Sequence, residues 1–241
     1  MRRVAAKFVP RLLTQDQKNT RLTLCQELKN QIQSDPNVLS KVITGDESWC
    51  YWYDPETKQA SSQWKTPTSP RPTKARQVRS NAKTMLINFF STFEESCTGE
   101  FVHPEQTVNQ EFYLEVLRRL RENVRRKLLE LWRSGDWFLR HDNAPAHTTL
   151  SVTRYLASLG GTIVPHPPYS PDLTPCDFFL LPTMKKTLKR KRFAIVEEVK
   201  TVSQEALKNI KLQQFQRCFT QWGKKRLDKC IAGNGEYFEG N

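Results

Sequence analysis

The residues best suited to metal binding or catalysis are aspartates that border apolar, strand-like runs. Asp142 follows an apolar run that begins at Trp137, and Asp177 opens a helical pattern after a proline-rich connection. Between these two aspartates lie 34 residues. A third carboxylate, Asp46, follows the strand-like run at 38–44. Carboxylate oxygens that the fold brings together from the ends of several elements suit a divalent-metal site, so the three aspartates are candidate metal ligands.

The segment around Asp46 also has a purely structural interpretation. Gly45, Asp46 and Glu47 could form an ordinary turn between a strand at 38–44 and a second strand at 49–53. Taken alone, the segment favours this turn. Only its combination with the other two aspartates favours a metal ligand.

Composition and charge favour a folded protein with a polyanionic partner. The 241 residues include 10% aromatic residues, which indicates a folded core rather than disorder. Lys and Arg outnumber Asp and Glu by 38 to 25, which gives a net charge of +13. An ordinary basic protein is one explanation, but nucleic acid is the commonest polyanionic partner and is the better one here.

The cysteines and histidines do not form a recognisable zinc motif. The six cysteines are scattered without a C-x-x-C pair, and the four histidines do not complete a zinc spacing with them. Reduced thiols of an intracellular protein, mostly in the core, are therefore expected. The sequence has no long apolar run and no signal-peptide pattern, which argues against a membrane or secreted protein.

Periodicity predicts an α/β domain with a mixed sheet, antiparallel first and parallel later. The strand-like runs lie at 38–44, 49–53, 83–90, 100–103, 137–141 and 162–164. The helical patterns lie at 14–35, 109–132, 148–159, 178–192, 196–210 and 212–230. Thr14 with Gln17 predicts a capping box, and Asn109 predicts a helix N-cap.

Basic segments supply the candidate nucleic-acid contacts. The irregular stretch 57–82 is rich in proline and basic residues, and such long connections are either functional or disordered. Its charge, and the cationic cluster at 185–192, suit phosphate contacts, while the cluster would also suit a nuclear-import signal. The arginine-rich face of the helix at 109–132 is explained by solvation as readily as by DNA. The predicted contacts are Lys74, Arg76, Arg79, Lys185, Lys186, Lys189 and Arg190.

Three ordered blocks together resemble the catalytic blocks of mariner-family transposases. They are Thr44–Trp49, His141–His147 and Pro165–Asp177, and the 34-residue spacing between the second and third aspartates matches the family pattern. The segment from Arg217 to Phe238 is similar to the family's closing segment. The resemblance thus extends over nearly the whole chain, and three ordered blocks are more specific than any one of them.

The resemblance implies an RNase H-like catalytic domain with a mixed sheet of about five strands flanked by helices. Asp46, Asp142 and Asp177 would hold two Mg²⁺ or Mn²⁺ ions, and without metal their mutual repulsion should leave the site loose. Asn143 and His147 would orient water or a DNA phosphate, although a structural turn explains them equally well.

The resemblance also implies partners and a location. The basic segment 57–82, with Trp64, occupies the position of a clamp loop that reaches the partner subunit of a homodimer. The partner molecules would be transposon ends and target DNA, and the location would be the nucleus.

Several features depart from the family pattern. Residues 1–13 are expected to be an interdomain linker remnant, with Phe8, Val9 and Pro10 in place of the family motif, and residues 14–241 the catalytic domain. An N-terminal helix-turn-helix reader of the inverted repeats is expected to be absent. The segment 91–99 lacks the family's turn chemistry, and 103–106 lacks an expected glycine.

The sequence therefore leaves three functional hypotheses. The first is metal-dependent DNA cleavage and strand transfer, which the three aspartates favour. The second is a catalytically silent remnant that associates with DNA or dimerises, which the departures favour. The third is an RNase H-like nuclease that cuts RNA–DNA hybrids with the same fold.

Overall fold

A five-stranded sheet organises the computed structural model, which describes residues 9–57, 61–92, 98–160 and 162–238. The strands are β1 (Val42–Tyr51), β2 (Lys83–Phe90), β3 (Thr98–Phe101), β4 (Phe138–Arg140) and β5 (Thr162–Ile163). Their order is β3-β2-β1-β4-β5. The pairs β1–β2 and β2–β3 are antiparallel, whereas β1–β4 and β4–β5 are parallel. The predicted mixed sheet, antiparallel first and parallel later, is confirmed.

Eight α-helices flank this sheet within the described ranges. They are α1 (Gln15–Ser34), α2 (Gln110–Lys127), α3 (Leu129–Ser134), α4 (Leu150–Ser158), α5 (Leu181–Leu188), α6 (Val196–Lys208), α7 (Leu212–Gln221) and α8 (Leu227–Ala232). The predicted capping box of Thr14 and Gln17 is present, and Asn109 caps α2 by accepting a hydrogen bond from the amide of Phe112. None of the helices in these ranges is long and apolar enough to cross a membrane.

The central strand corrects the prediction of two strands joined by a turn. Residues 38–41 form a 3₁₀ turn, and β1 then runs without interruption through Asp46. Its pairing with β2 is continuous from Thr44 opposite Phe90 to Tyr51 opposite Lys83. Asp46 therefore lies inside a strand rather than at the end of one.

A close backbone approach explains why a glycine interrupts the strand-like pattern. A Cβ atom built on Gly45 would lie 2.1 Å from the ring of Phe89, whose side chain is buried. Glycine at this position lets the ring pack directly on the backbone of β1. The residue that suggested a turn is thus required by cross-strand packing.

Two helices end earlier than their patterns predicted. The predicted helix to Trp132 breaks at Leu128, whose φ of −118° and ψ of 52° leave the helical region, and α3 follows. The helix after Asp177 ends at Leu188 rather than Arg192, because the backbone from Arg190 to Phe193 hydrogen-bonds to the segment at Trp52–Asp54. In both places tertiary contacts override helical periodicity.

The sheet separates two hydrophobic clusters. On one face, Val42 and Cys50 of β1 pack with residues of α1 and α5–α8, including Trp222. On the other face, Ile43 and Phe89 pack with α2 and α4. The five cysteines in the described ranges are free and buried, as predicted. Residues 93–97, where the altered turn was predicted, and Phe8 lie outside the described residues.

Replacing Gly45 with alanine should destabilise the fold. The new Cβ must displace the buried Phe89 ring, and overpacking of this kind costs about 1–3 kcal/mol of unfolding free energy. Urea denaturation of Gly45→Ala measures this loss. Gly223→Ala is the matched control, because its Cβ meets the Cδ1 tips of the half-buried Leu39 and Ile32, which are flexible side-chain ends that can move aside. Equal stabilities of the two variants would contradict the packing argument.

Candidate active site

The three predicted aspartates line one open cleft. Asp46 is contributed by β1, Asp142 by the segment after β4, and Asp177 by the first turn of the helix that leads into α5. The cleft has a volume of about 480 Å³. Its other walls are formed by Glu47, Asn143, Ala144, His166, Pro168, Tyr169, Ser170 and Pro171. Parallel pairing of β1 with β4 brings the first two aspartates to the same end of the sheet.

Asp46 and Asp177 lie close enough in the cleft for their charges to influence each other. Burial, together with the charges of Asp177 and Glu47, raises the pKa of Asp46 well above its ordinary value. Burial, with the charge of Asp142, also raises the pKa of Asp177 to about 6. A proton that this pair of carboxyl groups takes up as pH falls through about 6, called the shared proton, therefore relieves their mutual repulsion.

Asp142 has a different electrostatic environment. Its Oδ1 lies 2.6 Å from Nδ1 of His147 and accepts a hydrogen bond from the amide of Ala144 at 3.0 Å. Burial alone would raise the pKa of Asp142, but the bond to His147 and the backbone bond lower it below the ordinary value. Asp142 therefore ionises more readily than Asp46 and Asp177.

His147 lies between two carboxylates. Nε2 is 3.2 Å from Oε1 of Glu47, the ring stacks on Tyr113 with 3.8 Å between centroids, and the side chain is only 2% exposed. Burial would lower the pKa of His147, but the hydrogen bonds to Asp142 and Glu47 raise it to about 9. Both ring nitrogens of His147 face carboxylates and the ring is buried, while its predicted contact with DNA stays a prediction.

The turn that carries Asp177 is a π-helical turn, Cys176–Leu180. Pro182 lacks an amide hydrogen and its ring crowds the carbonyl four residues earlier, so the backbone widens here and Leu181 bonds to the carbonyl of Cys176. The Sγ atom of Cys176 lies 3.7 Å from Oγ1 of Thr44, which connects this turn to β1 two residues before Asp46.

Two buried arginines hold the proline-rich wall of the cleft. Arg21 of α1 forms a two-pronged contact with Asp172 at 2.9 and 2.7 Å and also donates to Oγ of Ser170. Arg140 of β4 donates to the carbonyl of Pro165 and lies 3.1 Å from Nδ1 of His166. Both guanidinium groups are buried, so the connection between Asp142 and Asp177 is fixed from inside the fold.

The predicted DNA contacts divide into paired and exposed groups. Lys74 and Arg190 pair with Glu56, and Arg79 pairs with Asp54 at 2.8 Å. Lys185 donates to Oγ of Ser48 at 2.6 Å, and its charge acts on Asp177 in the cleft. The side chains of Arg76 and Lys186 are exposed, and that of Lys189 is half-buried.

The other predicted residues lie at the rim or on the surface. Asn143 lines the cleft and donates to the carbonyl of His166 at 2.7 Å. Trp64 is fully exposed, Pro10 is exposed and Val9 is half-buried. The stretch 61–82 contains no helix or strand and is exposed along most of its length.

Sequence reasoning missed Glu47, Tyr113 and Lys185 as neighbours of the aspartates. Glu47 was treated as part of a turn, and Lys185 was grouped with a cationic cluster. Tyr113 lies within the helix at 109–132, for which only the arginine-rich face was considered as a contact surface. The continuity of β1 that places Glu47 beside the cleft depends on pairing with β2, which the local sequence does not show. No local signal in the sequence points to Tyr113 or Lys185.

The donor set of the cleft suits a divalent cation. Carboxylate oxygens are the preferred ligands of Mg²⁺, and the raised pKa values of Asp46 and Asp177 reflect the concentration of negative charge in the cleft. A second, overlapping set also exists, since ligand atoms of Glu47, Asp142 and His147 all lie within 4.8 Å of one another. Asp142 belongs to both sets.

The pKa of His147 predicts a fall in stability at alkaline pH. Its folded pKa of about 9 exceeds the ordinary 6.5, so its contribution is complete below pH 6.5 and is lost as pH rises through about 9. The loss is on the order of 3 kcal/mol. Urea denaturation of metal-free protein between pH 6.5 and 9.5 measures it. His147→Gln should flatten the profile, whereas His103→Gln, on the exposed loop after β3, should not; identical profiles for both would contradict the assignment.

Comparison with known proteins agrees with this geometry. A family model described as "Transposase (partial DDE domain)" matches residues 54–134. The chain is 31% identical to the mariner Mos1 transposase of Drosophila mauritiana, over 97% of this chain and 66% of that protein. It is 27% identical to histone-lysine N-methyltransferase SETMAR of Homo sapiens, over 97% of this chain and 33% of that protein. The chain thus spans less than two thirds of the length of each of these relatives.

Solved structures give the same result. The Mos1 mariner paired-end complex with Mn superposes with a TM-score of 0.87 at 30% identity, over 99% of this chain and 68% of that one. The catalytic domain of Mos1 mariner transposase superposes with a TM-score of 0.79 at 28% identity, over 96% of this chain and 100% of that one. The chain therefore belongs to the mariner family of transposases, and its fold is that of the family's catalytic domain.

Proposed function

We propose that this chain performs metal-dependent DNA cleavage and strand transfer at transposon ends. The observation that carries the proposal is the convergence of Asp46, Asp142 and Asp177 on one cleft, with protonation compensating the first and third. Membership of the mariner family supports it, as do the related Mos1 complexes named with a transposon end, with Mn and with Mg.

The three aspartates would hold two Mg²⁺ or Mn²⁺ ions. When bound, such ions activate the attacking oxygen and stabilise the leaving oxygen of a phosphodiester. The residues of the chain provide the conditions for this chemistry. Asp142 is kept ionised by His147, and the shared proton of Asp46 and Asp177 must leave before both carboxylates can act as ligands.

The three-aspartate set suits metal better than the set that contains His147. A histidine that binds a metal must do so through an unprotonated nitrogen, whereas the pKa of His147 is raised by its hydrogen bond to Asp142 and by the nearby charge of Glu47. Asp46 and Asp177 instead carry an excess of negative charge that a cation would neutralise. Asp46, Asp142 and Asp177 are therefore the proposed ligands.

The surroundings of the cleft support DNA as the substrate. The net charge of +13 and the exposed Arg76 and Lys186 favour attraction to phosphates, with weak sequence preference and a strong dependence on salt. The exposed segment 61–82 with Trp64 is the proposed clamp loop, which would contact the partner subunit of a homodimer. A nuclear location follows from the proposed substrate.

A catalytically silent remnant is the second candidate. The observation that favours it is the match to SETMAR, which is as long as the match to Mos1 transposase. SETMAR is named for a different activity, so a domain of this kind is compatible with other roles. A silent chain would bind DNA or dimerise without cutting. The two candidates differ in a single measurable property, metal-dependent cleavage.

Nicking of a duplex that carries mariner transposon ends tests the proposed function. In Mn²⁺ or Mg²⁺ the wild-type chain should nick the duplex, and Asp46→Asn, Asp142→Asn and Asp177→Asn should each lower the rate at least 100-fold, because each removes a charged ligand. Asp136→Asn, an exposed carboxylate paired with Lys41 outside the cleft, is the matched control and should retain the wild-type rate.

The same assay separates the alternatives. Absence of metal-dependent nicking by the wild-type chain, with intact DNA binding, would establish the silent remnant. Nicking that survives Asp142→Asn would place the chemistry elsewhere. A preference for an RNA–DNA hybrid over duplex DNA would identify the RNase H-like nuclease.

Metal affinity should rise with pH through the range in which the cleft loses its shared proton. Since the pKa of Asp177 is about 6, the apparent affinity for Mn²⁺ should increase about tenfold per pH unit below pH 6 and level off as the carboxyl groups ionise. Calorimetric titration at pH 5, 6, 7 and 8 measures the slope. Asp177→Asn should weaken binding and reduce the slope, and a pH-independent affinity of the wild type would contradict the shared proton.

A further inference from the structure

The side chain of Asp142 has one oxygen that is already occupied inside the protein. Oδ1 lies 2.6 Å from Nδ1 of His147 and accepts the amide of Ala144 at 3.0 Å. A carboxylate with both of these bonds on one oxygen has a fixed rotation about its terminal bond. The second oxygen, Oδ2, is then the atom left for the cleft.

His147 can hold Asp142 only because other groups hold His147. Nε2 is 3.2 Å from Oε1 of Glu47, so the ring is connected to β1 next to Asp46. One face of the ring stacks on Tyr113 of α2 with a centroid distance of 3.8 Å and an interplanar angle of 26°. The side chains of His147 and Tyr113 are buried, which leaves the ring no alternative position.

We propose that Glu47, His147 and Tyr113 are positioning residues that fix the Asp142 carboxylate for a divalent cation. This inference rests on the proposed function, since it concerns how the same cleft binds metal. It assigns a role to three residues outside the proposed set of metal ligands. It also gives α2 a part in the site, because its first turns supply the surface against which the imidazole is stacked.

The contacts form a series from Glu47 through His147 to Asp142, with Tyr113 beside the ring, and each residue has a different role in it. Glu47 orients the imidazole and compensates its charge, the imidazole orients Asp142, and Tyr113 excludes water from the imidazole face. Outer-shell partners of this kind change metal affinity by about 10- to 100-fold when removed, because the ligand must then be ordered on binding. The cleft itself would remain open in such variants.

Calorimetric Mn²⁺ titration of the full chain at pH 7.5 tests the proposal. Glu47→Ala and His147→Ala should each weaken Mn²⁺ binding about 10- to 100-fold. Glu47→Gln keeps the size of the side chain but removes the charge that compensates the imidazole, so it should weaken Mn²⁺ binding, though less than Glu47→Ala does. Tyr113→Phe retains the stacked ring and should bind Mn²⁺ like the wild type, whereas Tyr113→Leu should not.

A matched control separates positioning from general stability. Glu100→Ala breaks the exposed pair with Arg119 between β3 and α2 and should leave Mn²⁺ affinity unchanged. Each variant is titrated at a temperature at which circular dichroism shows it to be fully folded. Wild-type Mn²⁺ affinity in both Glu47→Ala and His147→Ala would overturn the proposal.

Direct ligation by His147 is distinguished by spectroscopy. Pulsed electron paramagnetic resonance of Mn²⁺-bound wild-type protein should show no strong coupling to ¹⁴N, because His147 is not a ligand in this arrangement. Strong ¹⁴N coupling that disappears in His147→Ala would overturn the positioning role. The proposed function fails separately, if Asp142→Asn binds Mn²⁺ as tightly as the wild type.

Discussion

Repulsion among carboxylates in a partly buried cleft is the constraint on which the rest of this structure depends. Two carboxylates in contact repel each other by about 4 kcal/mol at the effective dielectric constant of a protein surface. The fold responds in two ways. Asp46 and Asp177 share a proton, while Asp142 is balanced by the cationic ring of His147. The same residues therefore have different charges according to their neighbours, although all are aspartates.

Two buried arginines stabilise the wall of the cleft that connects Asp142 with Asp177. Arg21 joins α1, the proline-rich connection and the C-terminal segment through Ser170, Asp172 and the carbonyl of Gly235. Arg140 has no carboxylate partner among its contacts, and burial lowers its pKa to about 10. Removing either arginine would leave buried acceptors unpaired, so the wall and the fold are stabilised by the same bonds.

The sequence predicted the elements of the site better than their arrangement. The three aspartates, the Asn109 cap and the mixed sheet follow from local pattern and from ordered motifs. The continuity of β1 did not, because the turn signal of Gly45 is local while its cause, the Phe89 ring, lies on another strand. Likewise the break at Leu128 reflects burial of that side chain in the core. Local propensity cannot record contacts between residues that are distant in sequence.

The basic residues of the proposed clamp loop, 61–82, show that counting cations in a sequence overestimates how many are free to attract DNA. Lys74, Arg79 and Arg190 were predicted to contact phosphates, yet their charges are balanced by Glu56 and Asp54, whose carboxylates are largely buried. A DNA phosphate could bind these cations only by displacing Glu56 and Asp54. The two carboxylates would then be left buried without partners, which costs free energy. These cations therefore fix the root of the loop against the segment after α5, where the backbone amide of Arg190 also bonds to the carbonyl of Asp54. Attraction to DNA is left to exposed side chains such as Arg76 and Lys186, while the paired cations determine the direction in which the loop leaves the domain.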